Sequence, residues 1–441
     1  MSVGLARLRE DAARIRQGAI DKGEDPALVD EAIRADARRR EALGAADGFR
    51  GERNGVSEQI AATVKSGGDP RGAQVAGLRA QSTQLGRQIE DLDRVVAELD
   101  GQLEDLLLRI PNPPDPDVPV GGEEASQIVR MWGDPALHAE PSGAGADGSA
   151  GWARRPHWEV GEALGLFDLA AGAKVAGSGF PLYRGAGAAL QRALIDFFVE
   201  LHTREHGMTE IWPPAVVNTA SARGTGQIPD KEDQMYVVTR DELYLVPTAE
   251  VPVTNIHRDE IIEADRMPIR YVAYTPCFRR EAGAAGRTTR GILRVHQFDK
   301  VEMVCFERPA DSAATLDWLT GRAEVALQRL GLPYRVKLMA TGDMGFVQAK
   351  KFDLEVWAPG VEDWLEVSSV SNFRDYQARR MNIRWRPEPG AKPEVLHTLN
   401  GSGLALARTV AAILEVYQQP DGSVAVPEAL KPRLGDRIVA G

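Results

Sequence analysis

Arginine side chains concentrate in one stretch of the chain, TPCFRREAGAAGRTTRGILRVHQFDKVE at residues 275–302. Arg279, Arg280, Arg287, Arg290, Arg294, His296 and Lys300 stand there against Glu281, Asp299 and Glu302. A guanidinium is a planar fork that bonds two oxygens at once, so such a cluster suits a phosphate group. Taken alone, the same charges serve equally well on a solvated, salt-bridged hairpin. Arg408, in HTLNGSGLALAR, reads by itself as a cation on a helix face. Other phosphate chemistries are excluded. There is no GxxxxGK[ST], and GAGAAL at 185–190 lacks the GxGxxG spacing and a preceding βαβ strand. Two cysteines, Cys277 and Cys305, and scattered histidines draw no zinc cluster.

The cluster needs a frame. Tyr271–Phe278 alternates β-branched and aromatic residues as a strand does, 281–290 is small and charged, and Ile292–Glu302 returns to a strand pattern. The spacing predicts a long-looped antiparallel hairpin. Short β-rich runs follow from Tyr236 onward, at YVVT, LYLVP, YRVKLMA, FDLEVWA and WLEVSSV, with helices expected at 312–330 and 402–418. Strands adjacent in sequence imply an antiparallel sheet flanked by helices, an α+β fold. Residues 184–207 read as an amphipathic helix bearing Leu190, Leu194, Phe197, Phe198 and Leu201, and Pro213 and Pro214 end the strand after it.

Ahead of this lies a different composition. After a small helical cap at 1–25, two helical runs, from about Pro26 and from Arg71 to Ile110, meet at SGGDPRG. The second carries Val75, Leu78, Leu85, Ile89, Leu92, Val96, Leu99, Leu103 and Leu106 in coiled-coil steps. The first is poorer, interrupted by Gly44, Gly48, Gly51 and Gly55. Two such antiparallel helices form an arm about 50–60 Å long at 1.5 Å per residue. Arg50, Arg53, Lys65, Arg71, Arg79 and Arg87 make its outer half basic in a chain of net charge −11, as phosphate-backbone contact requires. The bland use of such an arm is oligomerisation. IPNPPDPDVPVG at 110–121 cannot continue a helix, so the domains are expected at 1–112 and 113–441, with a Gly/Ala/Ser-rich surface loop at 136–152. A charged N-terminus, no long apolar run and unpaired cysteines predict a cytoplasmic protein with no membrane span.

FRREAG followed by RVHQF is similar to motif 2 of class II aminoacyl-tRNA synthetases. VPTAE at 246–250, EVSSVSNF at 366–373 and HTLNGSGLALAR at 397–408 occur in the order seen in one member of that class. Over essentially its full length the chain resembles bacterial-type seryl-tRNA synthetases. The resemblance implies activation of L-serine with ATP to seryl-adenylate and transfer to the 3′ end of tRNA(Ser) and tRNA(Sec). It implies that Arg279 holds the α-phosphate, with Arg280 beside it. Glu281 would meet the adenine amino group, Phe298 stack on the ring, and Arg408 pin the γ-phosphate. Glu366 and Ser369, with Val367 and Ser368 between them, would hold Mg²⁺, a hard cation that takes oxygen ligands. Thr248, Ala249, Glu250, Glu302 and Ser402 would form the serine pocket, where acids suit an ammonium and a hydroxyl. The arm would grip the tRNA, and the 184–214 helix and strand would build a homodimer.

The sequence departs from the resembled pattern at Glu58, Gly179, Thr288, Val370 and Val416. Those changes suit a diverged second, self-resistance copy. Two further readings remain open: loading of serine onto a carrier protein or metabolite, and an RNA-binding protein without activity. The first fits poorly with the arm, and the second with retention of Arg279, Glu302 and Arg408.

Overall fold

The computed structural model describes residues 3–136, 154–282 and 290–440, which form two compact units, Met1–Pro111 and Asn112–Gly441. In the first, α1 (Leu5–Glu10) and α2 (Ala12–Asp21) pack on α3 (Ala27–Lys65), which pairs with α4 (Ala73–Leu108). Ion pairs Arg39–Asp100 and Arg50–Asp93 fix the antiparallel register. Val75, Leu85, Ile89, Leu99, Leu103 and Leu106 are buried along α4, as their spacing predicts. Of the apolar residues spaced along the first run, Val29, Ile33, Leu43, Phe49, Val56, Ile60 and Val64, only Val29 and Val56 are buried in the seam of α3, and alanines fill the rest. Val29, Ala32, Ala35, Ala42, Ala46 and Val56 are its buried apolar positions, whereas Val64 is 39% exposed. Nor do Gly44, Gly48, Gly51 and Gly55 break α3. They have open space around them, and the loss of about 1 kcal/mol at each is overridden by pairing along α4.

The second unit is built on an eight-stranded sheet. Its strands in chain order are β1 (Gln127–Trp132), β2 (Thr209–Ile211), β3 (Ile269–Phe278) and β4 (Gln297–Glu307), then β5 (Tyr334–Leu338), β6 (Lys350–Ala358), β7 (Asp363–Arg374) and β8 (His397–Ala405). They lie in the order β1-β5-β6-β7-β8-β4-β3-β2. All neighbours run antiparallel except β2 with β3. Four helices matter for the site: α5 (His157–Ala163), α6 (Ala186–Glu200), α7 (Ser312–Leu330) and α8 (Leu406–Val416). Residues of these helices share one core with the sheet, around Leu194, Phe198, Met303, Leu327, Val367 and Ile413.

Three boundaries differ from the sequence pattern. β4 begins at Gln297 rather than Ile292. The helix expected from 402 begins at Leu406, because 397–405 is a strand hydrogen-bonded on both sides, to β4 and β7. β1 was not visible in the pattern, since all six of its residues are exposed and no alternation marks it. The surface loop expected at 136–152 lies outside the described residues apart from Ala136. Among the described residues no helix is long and apolar enough to cross a membrane.

Candidate active site

The side chains of β4 alternate as a strand requires. Val301, Met303 and Cys305 enter the core, and Phe298, Lys300 and Glu302 line a cavity of ≈ 430 Å³ on the opposite face. β8 contributes Asn400 and Ser402, and the first turn of α8 adds Arg408. β7 supplies Glu366 and Ser369 through an irregularity. Residues three apart on a regular strand face opposite ways. Here the pairing slips between Leu354↔Ser368 and Glu355↔Glu366, so one extra residue at Val367 brings both oxygen donors to the cavity.

Arg279 follows β3. Its guanidinium lies 5.2 Å from the Phe298 ring centre, and its Nε donates to the Pro247 carbonyl at 3.4 Å. Among the described residues no carboxylate neutralises it in an ion pair. Arg408 is held from two sides: Nε donates to the Leu293 carbonyl at 3.1 Å and Nη1 to the Glu366 carbonyl at 2.8 Å. Glu281 adopts φ +48° and accepts from Arg294 at 2.8 Å. Across the cavity, Glu302 is 2% exposed, 2.6 Å from Lys300 Nζ, and accepts from Ser402 Oγ at 3.1 Å. Ser368 Oγ donates to the Ser402 carbonyl at 2.7 Å. Glu250 accepts from Gln377 at 2.6 Å. Burial, then the nearby Glu302, push its carboxyl up, against that hydrogen bond. Thr248 Oγ1 accepts from the Glu250 N–H at 3.3 Å.

Other expected residues sit apart. Ala249 is buried in a separate core cluster. Arg280 is exposed and donates to the Asp233 carbonyl at 3.0 Å, outside the cavity lining. Val367 and Ser368 reach the lining beside Glu366 and Ser369. On the arm, Arg53, Lys65, Arg71, Arg79 and Arg87 are exposed and have no ion pair among the described residues, whereas Arg50 pairs with Asp47 at 2.8 Å and Asp93 at 2.6 Å. Of the departing positions, Glu58 is exposed on α3 and Val370 is buried against Gly401. Val416 ends α8, and its carbonyl accepts from Arg154. Gly179 adopts φ +83°, and a Cβ there would stand 2.4 Å from the His296 ring. Arg287 and Thr288 lie outside the described residues.

Lys351 was missed. It lines the cavity and pairs with Asp353 at 3.0 Å. The available signal was the period of two in KKFDLEVWA, which puts both on one face. Burial opposes the Lys351 charge, but Asp353 and Glu366 outweigh it and hold the ammonium up. Glu366 is drawn down in turn: burial resists, while Lys351, Arg408, Arg279 and Lys300 prevail. A carboxylate and a hydroxyl brought together by the bulge, in a cavity lined by anions and phosphate-suited arginines, fit a hard cation such as Mg²⁺.

The antiparallel sheet with helices packed on it is the core of a class II aminoacyl-tRNA synthetase. The family model for the tRNA synthetase class II core domain (G, H, P, S and T) matches residues 236–417, and that for the seryl-tRNA synthetase N-terminal domain matches residues 4–114. Serine–tRNA ligase of Gemmatimonas aurantiaca is 49% identical over 436 residues, 98% of this chain and 99% of that protein. That of Geobacillus kaustophilus is 48% identical, covering 98% of each. A crystal structure of seryl-tRNA synthetase from Pyrococcus horikoshii complexed with ATP is similar with TM-score 0.91 and 36% identity, covering 99% of each chain. The chain belongs to the seryl-tRNA synthetase family.

Proposed function

We propose that the protein is a serine–tRNA ligase. It activates L-serine with ATP and transfers the seryl group to the 3′ end of tRNA(Ser) and tRNA(Sec). The observation that carries this reading is the division of one cavity: Arg279, without an ion pair among the described residues, over Phe298 on one side, and the buried Glu302–Ser402 pair on the other.

In the first step a serine carboxylate oxygen attacks the α-phosphorus and pyrophosphate leaves. In the second, a terminal ribose hydroxyl of the tRNA attacks the acyl carbon and AMP leaves. Both first reactants are anions, and the carboxylate is already ionised, so positioning and charge stabilisation do the work. Arg279 takes the α-phosphate and Arg408 the γ-phosphate, while Phe298 stacks on adenine and Glu281 accepts from its amino group. Glu366 and Ser369 would hold Mg²⁺, which when bound would supply charge neutralisation to the phosphates. Thr248, Glu250, Glu302 and Ser402 take the ammonium and hydroxyl of serine. A site that bonds the hydroxyl rejects alanine by about 10⁴-fold, because its polar groups would be left unpaired.

The exposed arm cations bind the tRNA backbone. We also assign a homodimer through α6 and β2, supported by Trp212, 78% exposed just beyond β2, and a cytoplasmic setting, supported by the free cysteines. Pyrophosphate exchange with each amino acid, followed by charging of total tRNA, tests the proposal. Serine-dependent exchange and charging are expected. Exchange without charging would point to a carrier acceptor, and neither to a protein without activity.

A further inference from the structure

Glu415, in the last turn of α8, is a fully buried carboxylate ringed by donors. Its Oε1 accepts from the His157 backbone N–H at 2.9 Å and from the His157 ring at 2.8 Å. Its Oε2 accepts from the N–H groups of Gly360 at 2.8 Å and Val361 at 3.1 Å. This arrangement settles the histidine tautomer. The Ile292 N–H can only donate to Nε2, so Nε2 keeps its lone pair and the ring proton sits on Nδ1, towards Glu415. That lone pair faces the N–H of Ile292, 3.3 Å away. The residue before it, Gly291, has φ +68°, and a Cβ there would stand 2.3 Å from Nε2. The position is closed to a side chain by its backbone and by the ring alike. Arg290 lies 4.6 Å over the Trp158 ring, beside the same histidine.

The next residue is also tied to α8. The Leu293 carbonyl takes the Arg408 Nε–H at 3.1 Å. Neighbouring residues are thus fastened to opposite ends of one helix, the cavity-lining Leu293 directly to Arg408 and the buried Ile292 through His157 to Glu415. Neither His157 nor Glu415 lines the cavity. We infer that His157 and Glu415 are positioning residues for Arg408. They fix the segment Gly291–Leu293, whose last residue lines the cavity and takes the Arg408 Nε–H, and so set the enzyme's hold on the triphosphate of ATP. The inference rests on the ATP reading of the cavity given above.

The test replaces His157 by Asn and by Gln. Asn keeps an N–H near Nδ1 for Glu415 and offers nothing at Nε2, whereas Gln places an acceptor oxygen near Nε2 for Ile292. In serine-dependent pyrophosphate exchange, His157→Asn is expected to raise the KM for ATP about tenfold, what one hydrogen bond supplies. The KM for serine stays within about twofold of the parent, a shift of about 0.4 kcal/mol at 1.36 kcal/mol per decade. His157→Gln restores the ATP value. Equilibrium binding of ATP without serine follows the same order. Equal losses in both variants, a serine KM that rises with that of ATP, or unchanged ATP binding in His157→Asn would overturn the assignment. In the unsubstituted protein, the Ile292 amide is expected to resist hydrogen exchange. Rapid exchange there would overturn the assignment even if a variant fails to fold. Exchange activity of the unsubstituted protein reports on the ATP reading separately, since its absence would fault the cavity and not the histidine.

Discussion

Glu302→Ala separates the serine pocket from the nucleotide pocket, and it acts on two quantities at once. Glu302 and Lys300 are 2% and 6% exposed, with Nζ and Oε2 2.6 Å apart. Removing the carboxylate leaves an ammonium buried without its counter-charge, which costs about 3–5 kcal/mol of stability. The same carboxylate is assigned to the serine ammonium, and a hydrogen bond to a charged group contributes about 1.5–3 kcal/mol. The serine requirement should therefore rise about 10- to 150-fold at 1.36 kcal/mol per decade, with the ATP requirement unchanged. Lys300→Met combined with Glu302→Gln removes both charges, so much of the stability should return while serine stays weakly used. Pyrophosphate exchange with one substrate varied and the other saturating measures the split, and urea unfolding measures the stability. A rise in the ATP requirement alone would place Glu302 in the nucleotide pocket. Unchanged stability in the single variant would mean that Lys300 finds other solvation.

Arg279→Ala or Arg408→Ala should lower adenylate formation by at least about 10²-fold, the scale of one charge-stabilising group, without changing the folded content seen by circular dichroism. Near-normal exchange in either would refute the phosphate assignment. Deleting residues 27–108 should spare serine activation, because every residue lining the cavity lies at or beyond Gly226. Charging of tRNA(Ser) should collapse, and in the intact protein tRNA affinity should fall with salt in proportion to the phosphates neutralised. A deletion variant that charges at the intact rate would make the arm an oligomerisation element. Burial holds His202 down at about 3 and His397 at about 4. Both stay neutral in the folded chain while the unfolded chain protonates below about 6.5, the free-histidine value. Stability should then be full above that pH and fall towards pH 4 by about 1.4 kcal/mol per unit for each such histidine. A flat stability profile between pH 7 and 4.5 would contradict this, and His202→Gln should reduce the slope.

Much of the chain's organisation follows from local pattern. The heptad-like steps of α4, the proline-rich break near Pro111 and the alternation of QFDKVEMVCF are one-dimensional signals. Each is set by a helix or strand period that neighbours in sequence enforce. The chemical types of the cavity residues were legible too, because arginines and carboxylates cluster in short stretches. Partnership was not. Between Val29 and Val56 the seam of α3 runs on alanines, which carry no mark in a sequence until α4 is laid against them. Arg280 and Arg279 are equal as letters, and only the strand end turns one towards the cavity and the other to the Asp233 carbonyl. Glu366 and Ser369 line one cavity only because β6 and β7 slip register by one residue, a property of the pair of strands. Lys351 acquires its role from Asp353 and Glu366 beside it, and His157 from a carboxylate 258 residues away. Periodicity is fixed along the chain. Which side chain faces which is decided by hydrogen-bond register and close packing, which exist only once distant segments are in contact.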